Sequence, residues 1–180
     1  RPVRHATGGE VRSNAYSIAS GYATSIFTGD PVLQTTDGSI IIALAASTQT
    51  VGVFGGVKYT DSTGAQVFKP FWPASTVATD VEAIVYDDPD IIFAIQSDAT
   101  GAAAVDLGAL ARVEIVAGDT KTGKSKTNLD VSAGLATTGK SLRILRIIND
   151  GENVAGAFSD VEVMWAEHAL KGVVSGVGGI

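Results

Sequence analysis

Gly118-Asp119-Thr120-Lys121-Thr122-Gly123-Lys124-Ser125 has the spacing G-x-x-x-x-G-K-S of a phosphate-binding P-loop. Its reading separates an α/β nucleotide enzyme from an all-β protein. A working P-loop follows a buried strand and opens a helix, whose N-terminus turns free N–H groups toward phosphate. Arg112 to Val116 has β composition, so the strand is in place. The helix is not. Lys126-Thr127-Asn128-Leu129-Asp130-Val131-Ser132-Ala133-Gly134 shows no 3.6-residue apolar period and holds several turn formers. Asp150, the nearest candidate for a magnesium-holding aspartate, sits in Asn149-Asp150-Gly151, a turn signal. The segment reads as a basic hairpin loop, with nucleotide binding as the alternative.

Outward from this loop the dominant period is two, the strand period. Tyr16 and Ile18 share a face, and Tyr22, Thr24 and Ile26 alternate with Ala23, Ser25 and Phe27. Val32-Leu33, Ile40 to Leu44, Val51 to Phe54, Lys58 to Thr60 and Gln66 to Lys69 follow, separated by turn signals such as Asp37-Gly38 and Gly55-Gly56. Pro70-Phe71-Trp72-Pro73 reads as an edge or linker, because its prolines cannot donate ladder hydrogen bonds. Phe71 and Trp72 are expected to plug the core there. The second half repeats the style with Val81 to Tyr86, Ile91 to Gln96, Val113 to Val116, Leu142 to Ile148 and Val161 to Ala166. Ile91 to Ile95 is apolar on both faces and reads as a central strand. In the last strand Val161, Val163 and Trp165 point one way and Glu162, Met164 and Ala166 the other.

About ten short strands predict an all-β fold, a small barrel or sandwich. The one helical candidate is the alanine-rich Thr100 to Leu110, shortened by Gly101 and Gly108. The expected organisation is an N-terminal arm (1–13), a β-rich body (14–171), with 14–80 and 81–171 as possible sub-barrels, and an extended C-terminal tail (172–180).

Composition narrows the function classes. The chain of 180 residues holds 21 glycines, which suits many tight turns, and no cysteine, which removes disulfides and thiol chemistry. Its longest apolar run, Ile40 to Ala46, is far short of a membrane span, and RPVRHATGG lacks the apolar core of a signal peptide. The net charge is −6, yet residues 1–12 carry Arg1, Arg4 and Arg12 against Glu10 alone. An acidic body disfavours nucleic acid. The basic arm, Arg1, Arg4, His5 and Arg12, is the candidate contact surface for an acidic protein partner or a neighbouring copy, since an arginine fork pairs bidentately with carboxylates.

Other constellations read as structural. Asp87, Asp88 and Asp90 cluster in YDDPD, where Pro89 fixes a turn, and the spacing does not fit a calcium loop. His5 and His168 are the two histidines, with no HxH or HxxxH spacing, so no metal and no cofactor are expected. No serine stands in G-x-S-x-G, and no catalytic residue is assigned. A carbohydrate-binding sandwich would rest on exposed Trp72 or Tyr59.

The runs YSIASGYATSIFTGDPVLQTTDGSIIIA, VGVFGGVKYTDSTG, PFWP, VYDDPDIIFAIQ and TKTGKS resemble tailed-bacteriophage capsid decoration, or cement, proteins over about residues 1 to 170. The resemblance implies an all-β virion protein, made in the host cytoplasm, that binds the major capsid protein on the head exterior without catalysis. A homotrimer fits the three-fold junctions of such shells. A tail or connector protein is the neighbouring alternative. No membrane partner is implied.

Overall fold

The computed structural model describes residues 1–44, 49–148, 151 and 153–171. Among these the strands are β1 (Pro2–His5), β2 (Asn14–Tyr16), β3 (Ile26–Phe27), β4 (Pro31–Gln34), β5 (Ile40–Ile42), β6 (Gly52–Thr60) and β7 (Gln66–Lys69). They continue with β8 (Phe71–Trp72), β9 (Glu82–Tyr86), β10 (Ile91–Gln96), β11 (Leu110–Glu114), β12 (Asn128–Asp130), β13 (Leu142–Ile147) and β14 (Asp160–Trp165). The alanine-rich Thr100 to Leu110 segment yields one 3-10 turn, Ala104–Asp106. The tail 172–180 and Asp150 lie outside the described residues.

Two antiparallel sheets carry the fold. The first has the order β2-β9-β6-β4-β5, with β7 also paired to β6; the second runs β1-β10-β14-β13-β11-β12. A two-stranded ribbon, β3-β8, accompanies the first. Neither sheet closes into a barrel. A single bridge, Ser97 to Leu129, brings β12 back toward the end of β10 without forming a ladder. The all-β class expected from the period-two pattern holds, in its open, sandwich form.

The core falls into two clusters, one for each sheet. The first core draws on Ile18 to Val85, with Phe54, Val57 and Trp72 fully buried; the second takes most of its residues from Ile91 to Trp165. Val53 of β6 belongs to the second core and so links the two. Trp72 meets Tyr59 edge to face at 5.3 Å, and Phe71 stacks on Phe27 at 5.3 Å. The PFWP segment therefore plugs the core as expected, and it also forms a short strand. Burial of Trp72 and Tyr59 removes the exposed aromatics that a carbohydrate site needed.

Three local readings change. Gly55-Gly56 does not end a strand; β6 runs through it with a bulge between Phe54 and Gly56. Gly56 at φ 137° supplies a backbone that L side chains rarely adopt, and Phe68 of β7 packs over it. Asn128–Asp130 forms β12, although its turn formers hid it. The N-terminal segment is not an arm outside the sheets, because Pro2–His5 is the edge strand beside β10.

The loops of the second half are fixed by Asp98. Its Oδ1 accepts the N–H groups of Thr100 (2.9 Å) and Gly101 (3.2 Å), and its Oδ2 those of Val131 (3.0 Å) and Ser132 (2.8 Å). Burial alone would raise its pKa, but the N–H groups of Ser132, Gly101 and Thr100 outweigh that and hold the carboxyl below its usual range. This contribution to stability is present above the unfolded carboxyl value and is lost as pH falls through the depressed folded value. Asp98→Asn is expected to cost about 2–3 kcal/mol, since the donors lose a charged acceptor. Urea unfolding at pH 7 and at pH 3 checks this; the penalty should shrink at the lower pH.

Candidate functional site

The basic residues singled out in the sequence all find partners on their own chain. The Arg1 backbone exchanges two hydrogen bonds with Ala94 of β10. Arg4, on β1, donates to Glu162 Oε2 at 2.7 Å. Glu162 lies on β14 with a side chain only 2% exposed, and Arg146 of β13 forks onto both its oxygens at 2.8 and 2.7 Å. Both arginine side chains stay about half exposed, so their stems cover the carboxylate while their heads keep solvent. The Arg146 hydrogen bonds, above all, hold the Glu162 carboxyl below its ordinary range.

Arg12 and the strand after it close on a second buried carboxylate. Asp87 accepts from Arg12 Nε at 3.3 Å, Asn14 Nδ2 at 2.8 Å and the Tyr16 hydroxyl at 2.8 Å. Burial and this bond to Asp87 push the Tyr16 phenol up to about 12. YDDPD is thus more than a turn: Asp87 turns inward to anchor β2. Asp88 and Asp90 turn outward, where His5 Nε2 lies 3.3 Å from Asp88 Oδ2 and Lys171 Nζ lies 2.7 Å from Asp90 Oδ1. His168 sits at the end of β14, buried against Trp165, and accepts the Leu170 N–H through Nδ1. Its burial lowers its pKa, so it is a neutral core group.

The GDTKTGKS segment lacks P-loop geometry. It folds as a tight turn closed between Asp119 and Lys124, and no helix follows. The amides that would face phosphate already have acceptors. Gly123 N–H donates to Asp119 O (2.7 Å), Lys121 N–H to Asp119 Oδ1 (2.8 Å), and Ser125 N–H to Thr28 O (2.9 Å). The loop is tied down further at Asp30, which is fully buried and accepts from Phe27 N–H (2.8 Å) and the Thr127 hydroxyl (3.1 Å). Burial raises the Asp30 pKa.

Beside this loop, between the sheets, lies a cavity of about 370 Å³. Val53, Phe93, Val113, Val163 and Trp165 form its apolar floor, and Lys124, Ser125 and Thr127 its polar rim. The Trp165 indole N–H is buried and has no hydrogen-bond partner among the described residues.

A different surface stands out at the end of the second sheet where β10 meets its loop. The loop after β10 carries Val105 (90% exposed) and Leu107, and the loop before β14 carries Val154 and Phe158 (58% exposed). The two loops are paired through Ala102 and Gly156. A Cβ on Gly101 would lie 2.0 Å from the Gly156 backbone, so only glycine permits this approach. The Phe158 N–H donates to Asp98 O at 3.0 Å. That bond accompanies a left-handed backbone at φ 58°, a costly conformation for a bulky residue. Sequence reading missed this tip because its apolar residues are scattered singly through turn-rich loops. It missed Glu162 as well, because a carboxylate between apolar neighbours on a strand reads as solvent-facing.

Comparison with protein-family models, with curated proteins and with solved structures returns no match to this chain.

The occupied amides make a direct prediction. Calorimetry with ATP or GTP and magnesium should show no binding heat, and Lys124→Ala should change stability by less than about 0.5 kcal/mol, as exposed loop substitutions do. Micromolar nucleotide affinity that disappears in Lys124→Ala would contradict this assignment.

Proposed function

We propose that the chain is a virion structural protein that binds the outside of an icosahedral phage head and stabilises it, acting through its surface. The motif resemblance in its sequence suggests the setting. The observation that carries the reading is the exposure of Val105, Leu107, Val154 and Phe158 on two loops joined by the Ala102–Gly156 bridge. Apolar side chains grouped on an exposed surface mark protein-docking sites. Here they sit on two loops that Asp98 and the Gly101–Gly156 approach hold rigid, which lowers the ordering cost of binding. The backbone strain at Phe158 fits the same role, since strain that the surroundings enforce clusters at functional positions.

In this reading the basic N-terminal residues serve the fold first, and the tip replaces them as the main contact with the major capsid protein. Copies assemble as a closed trimer at the three-fold junctions of the shell. Light scattering of the free protein should then give three times the chain mass of 18.4 kDa.

The tip can be tested without damaging the body. Phe158→Gly relieves a left-handed conformation but adds glycine's backbone entropy, so stability should stay within about 1 kcal/mol of the parent chain. Combined with Val105→Ser, it should weaken co-sedimentation with undecorated heads at least tenfold. Unchanged co-sedimentation by a folded double variant would remove the tip from the interface. Electron micrographs that place the protein on the tail would favour the connector or tail alternative.

A further inference from the structure

The geometry points to a zinc-type divalent metal site formed by His5, Asp88 and Asp90, which would clamp β1 to the turn between β9 and β10. One ligand atom from each of these residues lies within 4.8 Å of the others, and all three are half-buried. His5 Nε2 and Asp88 Oδ2 are 3.3 Å apart. Ligands about 2.0–2.1 Å from a tetrahedral zinc ion are roughly 3.3–3.5 Å from one another, so this pair already has the required edge. Asp90 offers its carboxylate within 4.8 Å of the other two ligand atoms.

The backbone brings the three together before any metal arrives. His5 pairs with Ile91 across the β1–β10 ladder, and the Ala6 N–H donates to the Asp90 carbonyl at 2.8 Å. The Asp90 N–H donates to Asp88 Oδ1 at 2.9 Å, which leaves Oδ2 facing the imidazole. On the other side of the ring, His5 Nδ1 accepts the Thr7 N–H at 3.2 Å, with Thr7 Oγ1 at 2.9 Å. Nε2 is thereby the nitrogen aimed at Asp88, and a bound metal would displace the proton it carries.

The donor set selects the ion. One imidazole nitrogen with two carboxylate oxygens suits zinc, whereas calcium and magnesium prefer oxygen alone. Half-burial leaves the fourth position to water. Lys171 is the competing cation at Asp90, but its side chain is 47% exposed and can swing away. The alternative is an ordinary His5–Asp88 ion pair with no metal.

The test is calorimetric titration of the EDTA-treated, dialysed full chain with zinc chloride at neutral pH, with calcium chloride in parallel. We expect one zinc per chain at micromolar affinity and little calcium heat. His5→Gln and Asp88→Asn should each weaken zinc at least tenfold, and Lys171→Ala should keep or strengthen it. With zinc at about a hundred times Kd the melting temperature should rise by roughly 5–10 °C. Should a variant fold poorly, the parent chain still answers through NMR: zinc should shift the ring signals of His5 and leave those of His168. Absence of zinc heat, affinity unchanged in a folded His5→Gln chain, or shifts at His168 instead would overturn the site.

Discussion

Glu162 imposes the constraint that orders much of this molecule. A carboxylate in the middle strand of a sheet, with its side chain almost wholly covered, is costly unless paired and hydrogen-bonded. Two arginines meet that demand from opposite sides, Arg146 from the neighbouring strand β13 and Arg4 from β1 across β10. Breaking such a set by removing one partner is far worse than never having it, because the remaining charge stays buried. The edge strand is thereby tied to the sheet's centre as well as to its neighbour.

The same logic recurs at Asp87 and Asp98. In a chain of net charge −6, carboxylates that turn inward must recruit cations, hydroxyls or backbone amides. Asp87 recruits Arg12, Asn14 and Tyr16, and Asp98 recruits four amides from two loops. Two of the three arginines at the start of the chain, Arg4 and Arg12, thus pair with the body's own acids. The loop tip, with Val105 and Phe158, is among the exposed apolar surfaces that folding does not explain.

How much of this was legible follows from the range of each interaction. Period-two patterning is local, and it located β9, β10, β13 and β14 within a residue or two. The inward set Val161, Val163 and Trp165 was readable for the same reason. The absence of a helix after Ser125 was local too, and the tight turn found there agrees with the hairpin-loop reading. What escaped was long-range. Nothing near Pro2–His5 announces a strand, since its ladder partner is β10. The chemistry of the arginines was readable, namely that they would seek carboxylates. Their partners were not, because Glu162 and Asp87 come to them only through the sheet. His5 with Asp88 and Asp90 escaped similarly, since no sequence spacing records a contact made across a ladder.

The N-terminal segment belongs to the body, and the loop tip is the proposed attachment surface. Amide hydrogen exchange, read by mass spectrometry on the free protein and on protein bound to heads, tests both halves together. The account predicts that the amides of Arg4 and Ala6 are protected already in the free protein. On binding, new protection should appear in the loops around Val105 and Phe158. Free exchange across residues 2–6 that becomes protected only on the shell, with the two loops unchanged, would contradict it.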